Sequence, residues 1–116
     1  MEYKYEKNGR LIYRESFKTI RSESKLKRFS KEEEIVAVRM IHACGLVELS
    51  DKIEFKPNVV IKARDALEKG VPILCDTKMV SEGITRSRLP SNNEIVCTLG
   101  DRDVLAIAKK IQNTRS

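Results

Sequence analysis

Residues 30 to 45 describe a helix with both of its ends marked. Ser30-Lys31-Glu32-Glu33 has the form of a capping box: the serine oxygen accepts from the third helical N–H, and the glutamate side chain reaches back to the N–H of the serine. Three consecutive glutamates, Glu32 to Glu34, stand where the positive end of the helix dipole favours them. Ile35, Val38, Ile41 and His42 then recur at helical spacing on one face, and Gly45 suits a left-handed stop. A helix delimited so sharply must bury its apolar face against the rest of the chain.

His42 is the only histidine in the chain. It lies in the segment Arg39-Met40-Ile41-His42-Ala43-Cys44-Gly45, in line with the buried stripe and close to the helix end. From the residues alone two readings stand: a core histidine with both nitrogens satisfied, or an acid or base presented at the end of a helix. Arg39, three residues earlier, is one turn away on the same side, placed to hold an anion that the histidine addresses.

Before this helix, residues 1 to 9 read as a polar and aromatic arm. Residues 10 to about 27 read as a helix with Ile12, Phe17 and Ile20 on one face and Tyr13 and Ser24 near it. Ser16, beside Phe17, reads from composition as a surface serine. After Gly45, Val47, Leu49, Ile53 and Phe55 alternate, which predicts a strand or an extended connection. Pro57 suits the first turn of a helix running to about residue 69, with Val60, Ala63 and Leu67 inward and Gly70 ending it.

The remainder has α/β character. Val71-Pro72-Ile73-Leu74-Cys75 is a short apolar run of the kind found in a strand covered on both faces. A short helix is expected over residues 77 to 83, a second buried strand over residues 94 to 98, and a helix capped by Asp101 with Val104, Ile107, Ala108 and Ile111 on its apolar side. Strand, crossover, strand and helix predict a parallel sheet flanked by helices. In such sheets ligands gather beyond the carboxyl ends of the strands, which singles out residues 76 to 79 and 99 to 102. Thr85, Arg86 and Arg88 in the polar loop of residues 83 to 93 are available for carboxylates.

At 116 residues the chain suits one compact domain. No apolar run approaches membrane-spanning length and the first residues do not form a signal peptide, so a cytoplasmic protein with no membrane partner is expected. Cys44, Cys75 and Cys97 are far apart within apolar segments and read as small buried hydrophobes in a reducing compartment. A zinc site combining them with His42 and Asp76 is conceivable in three dimensions, but no metal-ligand spacing supports it. The net charge of +6 points to an anionic partner or to good solubility alone. The cations are interleaved with 17 acidic residues and few aromatics, which argues against nucleic acid and fits a small polyanionic metabolite.

Several segments, taken together and in order, resemble precorrin-8X methylmutases and cobalt-precorrin-8 methylmutases. They are Ser16-Phe17, Arg39 to Gly45, Pro72-Ile73-Leu74-Cys75-Asp76, Met79-Val80, Gly83-Ile84-Thr85-Arg86, Leu89-Pro90, Cys97-Thr98-Leu99 and Asn113-Thr114-Arg115-Ser116. The resemblance implies an isomerase of cobalamin biosynthesis that moves a methyl group from C-11 to C-12 of a corrinoid ring without an added cofactor or metal. It implies a flavodoxin-like three-layer α/β/α fold, a polycarboxylate tetrapyrrole as substrate, and a homodimer. It assigns the active-site histidine to His42, substrate contacts to Ser16 and Arg39, and pocket positions to Thr85, Arg86 and Arg115.

Family members continue for roughly as much chain again past the Asn-Thr-Arg-Ser motif. The expectation is therefore that residues 1 to 116 are the N-terminal part of a single methylmutase domain, with a sheet incomplete against the ~5–6 strands usual for such a domain. Either a second chain would then complete it, or the chain is a truncated product or a fragment of something longer. The alternative is a truncated relative that binds corrinoids without turning them over.

Overall fold

The structure, a computed structural model, describes residues 3–116. Met1 and Glu2, the start of the expected arm, lie outside the described residues; residues 3 to 8 have no regular structure. The chain divides into two compact units, residues 1–61 and 62–116, with the boundary inside a helix.

The first unit is built on two packed helices. Helix α1, Gly9–Glu23, begins at Asn8, whose side chain accepts from the Arg10 N–H, and stops short of the expected residue 27 at Ser24. Helix α2, Lys31–Cys44, has the bounds the sequence predicts. Its capping box is formed in both directions, Glu33 N–H to Ser30 Oγ at 3.2 Å and Ser30 N–H to Glu33 Oε2 at 2.9 Å. Gly45 ends it in the left-handed region at φ 70°. Ser30→Ala removes one half of the box, and an expected loss of about 1 kcal/mol of stability would be read from the denaturation midpoint.

The inward face of α2 is Ala37, Val38 and Ile41; Ile35, expected in the stripe, is exposed. These three residues pack with Ile20, Leu26 and Ile53, and Phe17, Phe29, Leu49 and Phe55 lie around the cluster. Ile12, expected on the inward face of α1, is also exposed.

Residues 46 to 55 are not a strand. Val47–Asp51 forms a 3-10 turn held by buried Ser50, whose hydroxyl donates to the Val47 carbonyl at 3.0 Å and accepts from the Lys25 N–H at 3.3 Å. The Arg28 guanidinium donates to the Ser50 carbonyl at 2.7 Å and to that of Ile53. Serine and arginine contacts outcompete the apolar alternation because they satisfy backbone groups that would otherwise be buried without partners.

Helix α3, Val59–Glu68, starts later than Pro57 predicts because Asn58 adopts φ 61°, which no helical residue can. It ends as expected at Gly70, φ 80°, with the Val71 N–H bonded to the Ala66 carbonyl and the Gly70 N–H to that of Leu67, the Schellman arrangement. Ala63, expected inward, is exposed.

In the second unit, strands β1, Ile73–Leu74, and β2, Ile95–Val96, pair in parallel with Ile73 opposite Ile95. Between them runs α4, Lys78–Gly83, capped by Thr77. The expected α/β class and parallel pairing are present, as a two-stranded sheet among the described residues. The expected burial on both faces is not: Leu74 is 78% exposed. Within this unit its outer face has no cover, so the pleat that half-buries Ile73 on one side leaves Leu74 in solvent.

Asn93 closes the loop before β2. Buried, it donates from its amide to the Leu67 carbonyl at 2.8 Å and the Val71 carbonyl at 2.9 Å, pinning the loop to the end of α3. Helix α5, Val104–Lys110, starts after Asp103, not at Asp101. Asp101 instead receives the Val104 N–H on its carbonyl, making a turn, and gives no side-chain cap. Ala108 is the buried residue of α5, while Ile107 and Ile111 are exposed.

Candidate active site

The packing of α1 on α2 puts Ser16 opposite His42. Ser16 lies one turn before buried Ile20 on α1, and His42 directly follows buried Ile41 on α2. Both side chains therefore leave the edge of the core toward each other. The Ser16 hydroxyl and His42 Nδ1 are 2.7 Å apart, a hydrogen bond joining residues 26 positions apart in the chain. His42 is half-buried, so it is neither of the sequence alternatives in pure form: one nitrogen is satisfied by protein, while Nε2 has no partner among the described residues.

Aromatic rings complete the surroundings. The Tyr13 ring is tilted over the imidazole at 4.9 Å between centroids, and Phe17 meets it edge-on at 5.2 Å. Arg39 places its guanidinium carbon 4.9 Å from the centre of the Phe17 ring and 5.9 Å from that of Tyr13. Arg39 and His42 thus rest on the same aromatic pair. Stacking on a ring face holds the guanidinium plane while leaving its N–H edges free for an anion.

Beside the histidine opens a cavity of about 310 Å³ lined by Ser16, Thr19, Glu23, His42, Gly45 and Val47, among others. Thr19 and Glu23 were not singled out from the sequence. Their signal was available, since they follow Ser16 by three and seven residues and so share its helical face.

Ser16, Arg39 and His42 are therefore brought together. Thr85, Arg86 and Arg115 belong to the second unit. Thr85 is exposed and precedes the 3-10 turn Arg86–Arg88, its carbonyl accepting from the Arg88 N–H at 3.0 Å. Arg86 and Arg115 are exposed, and among the described residues neither forms an ion pair. None of the three cysteines is fully buried, which corrects their reading as core hydrophobes: Cys44 is exposed, Cys75 and Cys97 half-buried, and all are free thiols. Among the described residues no group of three or more His, Cys, Asp or Glu side chains is placed to hold a metal ion, and no helix is long and apolar enough to cross a membrane.

Comparison with known proteins gives consistent matches. Residues 11–116 match the family described as "CbiC: Precorrin-8X methylmutase". A precorrin-8X methylmutase from Sinorhizobium sp is 53% identical over 99% of this chain and 55% of its own length. A second, from Pseudomonas aeruginosa, is 49% identical over 97% of this chain and 54% of its own. The crystal structure of the precorrin-8X methylmutase from Thermus thermophilus is similar with a TM-score of 0.78 and 36% identity, over 92% of this chain and 52% of that one. The chain spans about half the length of the curated relatives it matches.

Proposed function

The chain belongs to the precorrin-8X methylmutase family, and from that premise we propose that it takes part in the methyl shift of cobalamin biosynthesis as the N-terminal part of a methylmutase domain. The observation that carries the reading is the Ser16–His42 hydrogen bond beside a stacked Arg39. That arrangement offers one imidazole nitrogen and one guanidinium to the same ligand.

The proposed chemistry needs little more. In a sigmatropic shift the methyl group moves with its bonding pair from C-11 to C-12, so no atom is gained or lost. His42 Nε2 gives a proton, or a hydrogen bond, to a nitrogen of the conjugated ring. Electron density is thereby drawn toward the protonated side, and migration is eased. The proton returns when the new bond is made. Arg39, with Arg86 and Arg115, holds acetate and propionate carboxylates, and Thr85 adds a hydroxyl contact. Ser16, read by resemblance as a substrate contact, spends its hydroxyl on His42 in this state and so orients the acid. With no nucleophile in the scheme, positioning and proton placement carry the rate.

The cavity takes an edge of a macrocycle rather than the whole. The rest of the binding surface is assigned to a second copy or a completing chain, so that the working form is a homodimer or its two-chain equivalent. A cytoplasmic setting suits three free thiols. The cobalt-free substrate, precorrin-8X, is favoured over its cobalt form by the names of the relatives at 53% and 49% identity.

The test is to mix precorrin-8X with the purified chain, alone and together with the separately expressed remaining half of the Pseudomonas aeruginosa relative, and to follow the visible spectrum. Conversion in either mixture supports the proposal. A substrate spectrum unchanged in both, with no corrinoid retained on gel filtration, rejects it.

A further inference from the structure

Tyr13, Ser16 and Phe17 stand at positions i, i+3 and i+4 of α1, the spacing that places three side chains on one helical patch. All three touch His42: Ser16 through the 2.7 Å bond to Nδ1, Tyr13 through its tilted ring at 4.9 Å, and Phe17 through its edge at 5.2 Å. The two aromatic rings also brace each other, 5.8 Å apart at 64°. A single hydrogen bond leaves an imidazole free to turn about the line joining its partners. Two rings at different angles, one tilted and one perpendicular, remove that freedom.

We propose that Tyr13 is a positioning residue for His42, acting with Ser16 and Phe17 as a three-point clamp from one helix that fixes the ring plane and leaves Nε2 as the only nitrogen presented to a ligand. Tyr13 is itself 47% exposed, so burial in the core does not account for its ring lying over the imidazole. The clamp assigns the Ser16 hydroxyl as donor to Nδ1, a role that the 2.7 Å separation alone does not fix, so that the neutral ring carries its proton on Nε2, the tautomer able to donate. Loss of the tyrosine ring lets the imidazole tilt away from Ser16, and the two nitrogens become interchangeable.

The inference rests on the proposed role of His42 in methyl migration, but its test needs no substrate, so either idea can fail without the other. Because the chain has one histidine, nitrogen and proton NMR of the ring gives one assignable set of signals. Wild type is expected to show a single Nε2–H tautomer and cross-relaxation between the rings of Tyr13 and His42. Tyr13→Leu should lose the single-tautomer pattern, its two nitrogen shifts moving toward each other, with the thermal midpoint held near wild type. Tyr13→Phe, which keeps the ring and drops the hydroxyl, should restore the wild-type pattern. Averaged nitrogen shifts in the wild type itself, absent cross-relaxation, or a wild-type pattern in folded Tyr13→Leu would each overturn the clamp. The wild-type measurements decide the matter even where the leucine variant does not fold.

Discussion

Replacing His42 with alanine, in the chain assembled with the rest of a methylmutase fold, is expected to slow methyl migration by about 10²–10⁴-fold, the contribution of a positioned proton donor. Corrinoid binding should survive, because Arg39 rests on Phe17 and Tyr13 and not on the imidazole. The measurement is the initial rate of the spectral change under single-turnover conditions, beside a gel-filtration assay for bound pigment. A full rate with alanine in place would remove His42 from the chemistry and leave the cavity beside it as a binding surface only. Loss of binding and rate together would point instead to collapse of the α1–α2 edge.

The second large effect concerns stability. Ile41 is 1% exposed, among the largest fully buried side chains described, and it packs between residues drawn from α1, α2 and the segment after the 3-10 turn. Ile41→Ala is expected to cost about 2–5 kcal/mol, the range for a large aliphatic side chain removed from a core that closes only partly around the gap. Urea denaturation followed by the His42 ring resonance reads the first unit directly. A change below about 1 kcal/mol would mean that the cluster repacks freely, and the tight seating of α2 on α1 would have to be abandoned.

These two neighbours show what the chain makes plain and what it hides. The capped helix 31–44 is legible because each of its signals is local: serine to glutamate across three residues, three glutamates at the amino end, glycine at the carboxyl end. Gly70 is legible for the same reason. The parallel pairing of β1 with β2 follows from two apolar runs separated by a crossover. Residues 46 to 55 mislead because their alternation is real but is overridden by Arg28, twenty-odd positions upstream, gripping the Ser50 and Ile53 carbonyls. Asp101 misleads because Asp103 stands nearer the helix and the intervening turn is shaped by backbone bonds.

At the site, His42 and Arg39 announce themselves by type and spacing. Ser16 does not. Its partner is 26 residues away, and only the resemblance to methylmutases raises a serine on a charged helix above its neighbours. The aromatic pair is half legible: the four-residue spacing of Tyr13 and Phe17 marks a shared face, but nothing local says that the face meets a histidine.

Helix α2 alternates its duties residue by residue. Val38 and Ile41 look inward, while Arg39 and His42, each adjoining one of them in the chain, meet the aromatic pair at the rim. Inserting or deleting one amino acid between residues 31 and 38 would turn everything downstream by about 100° around the axis. The guanidinium and imidazole would swing off their aromatic seat as the aliphatic anchors came out of register. Such a helix can exchange many of its letters, but it has almost no freedom in how many it contains.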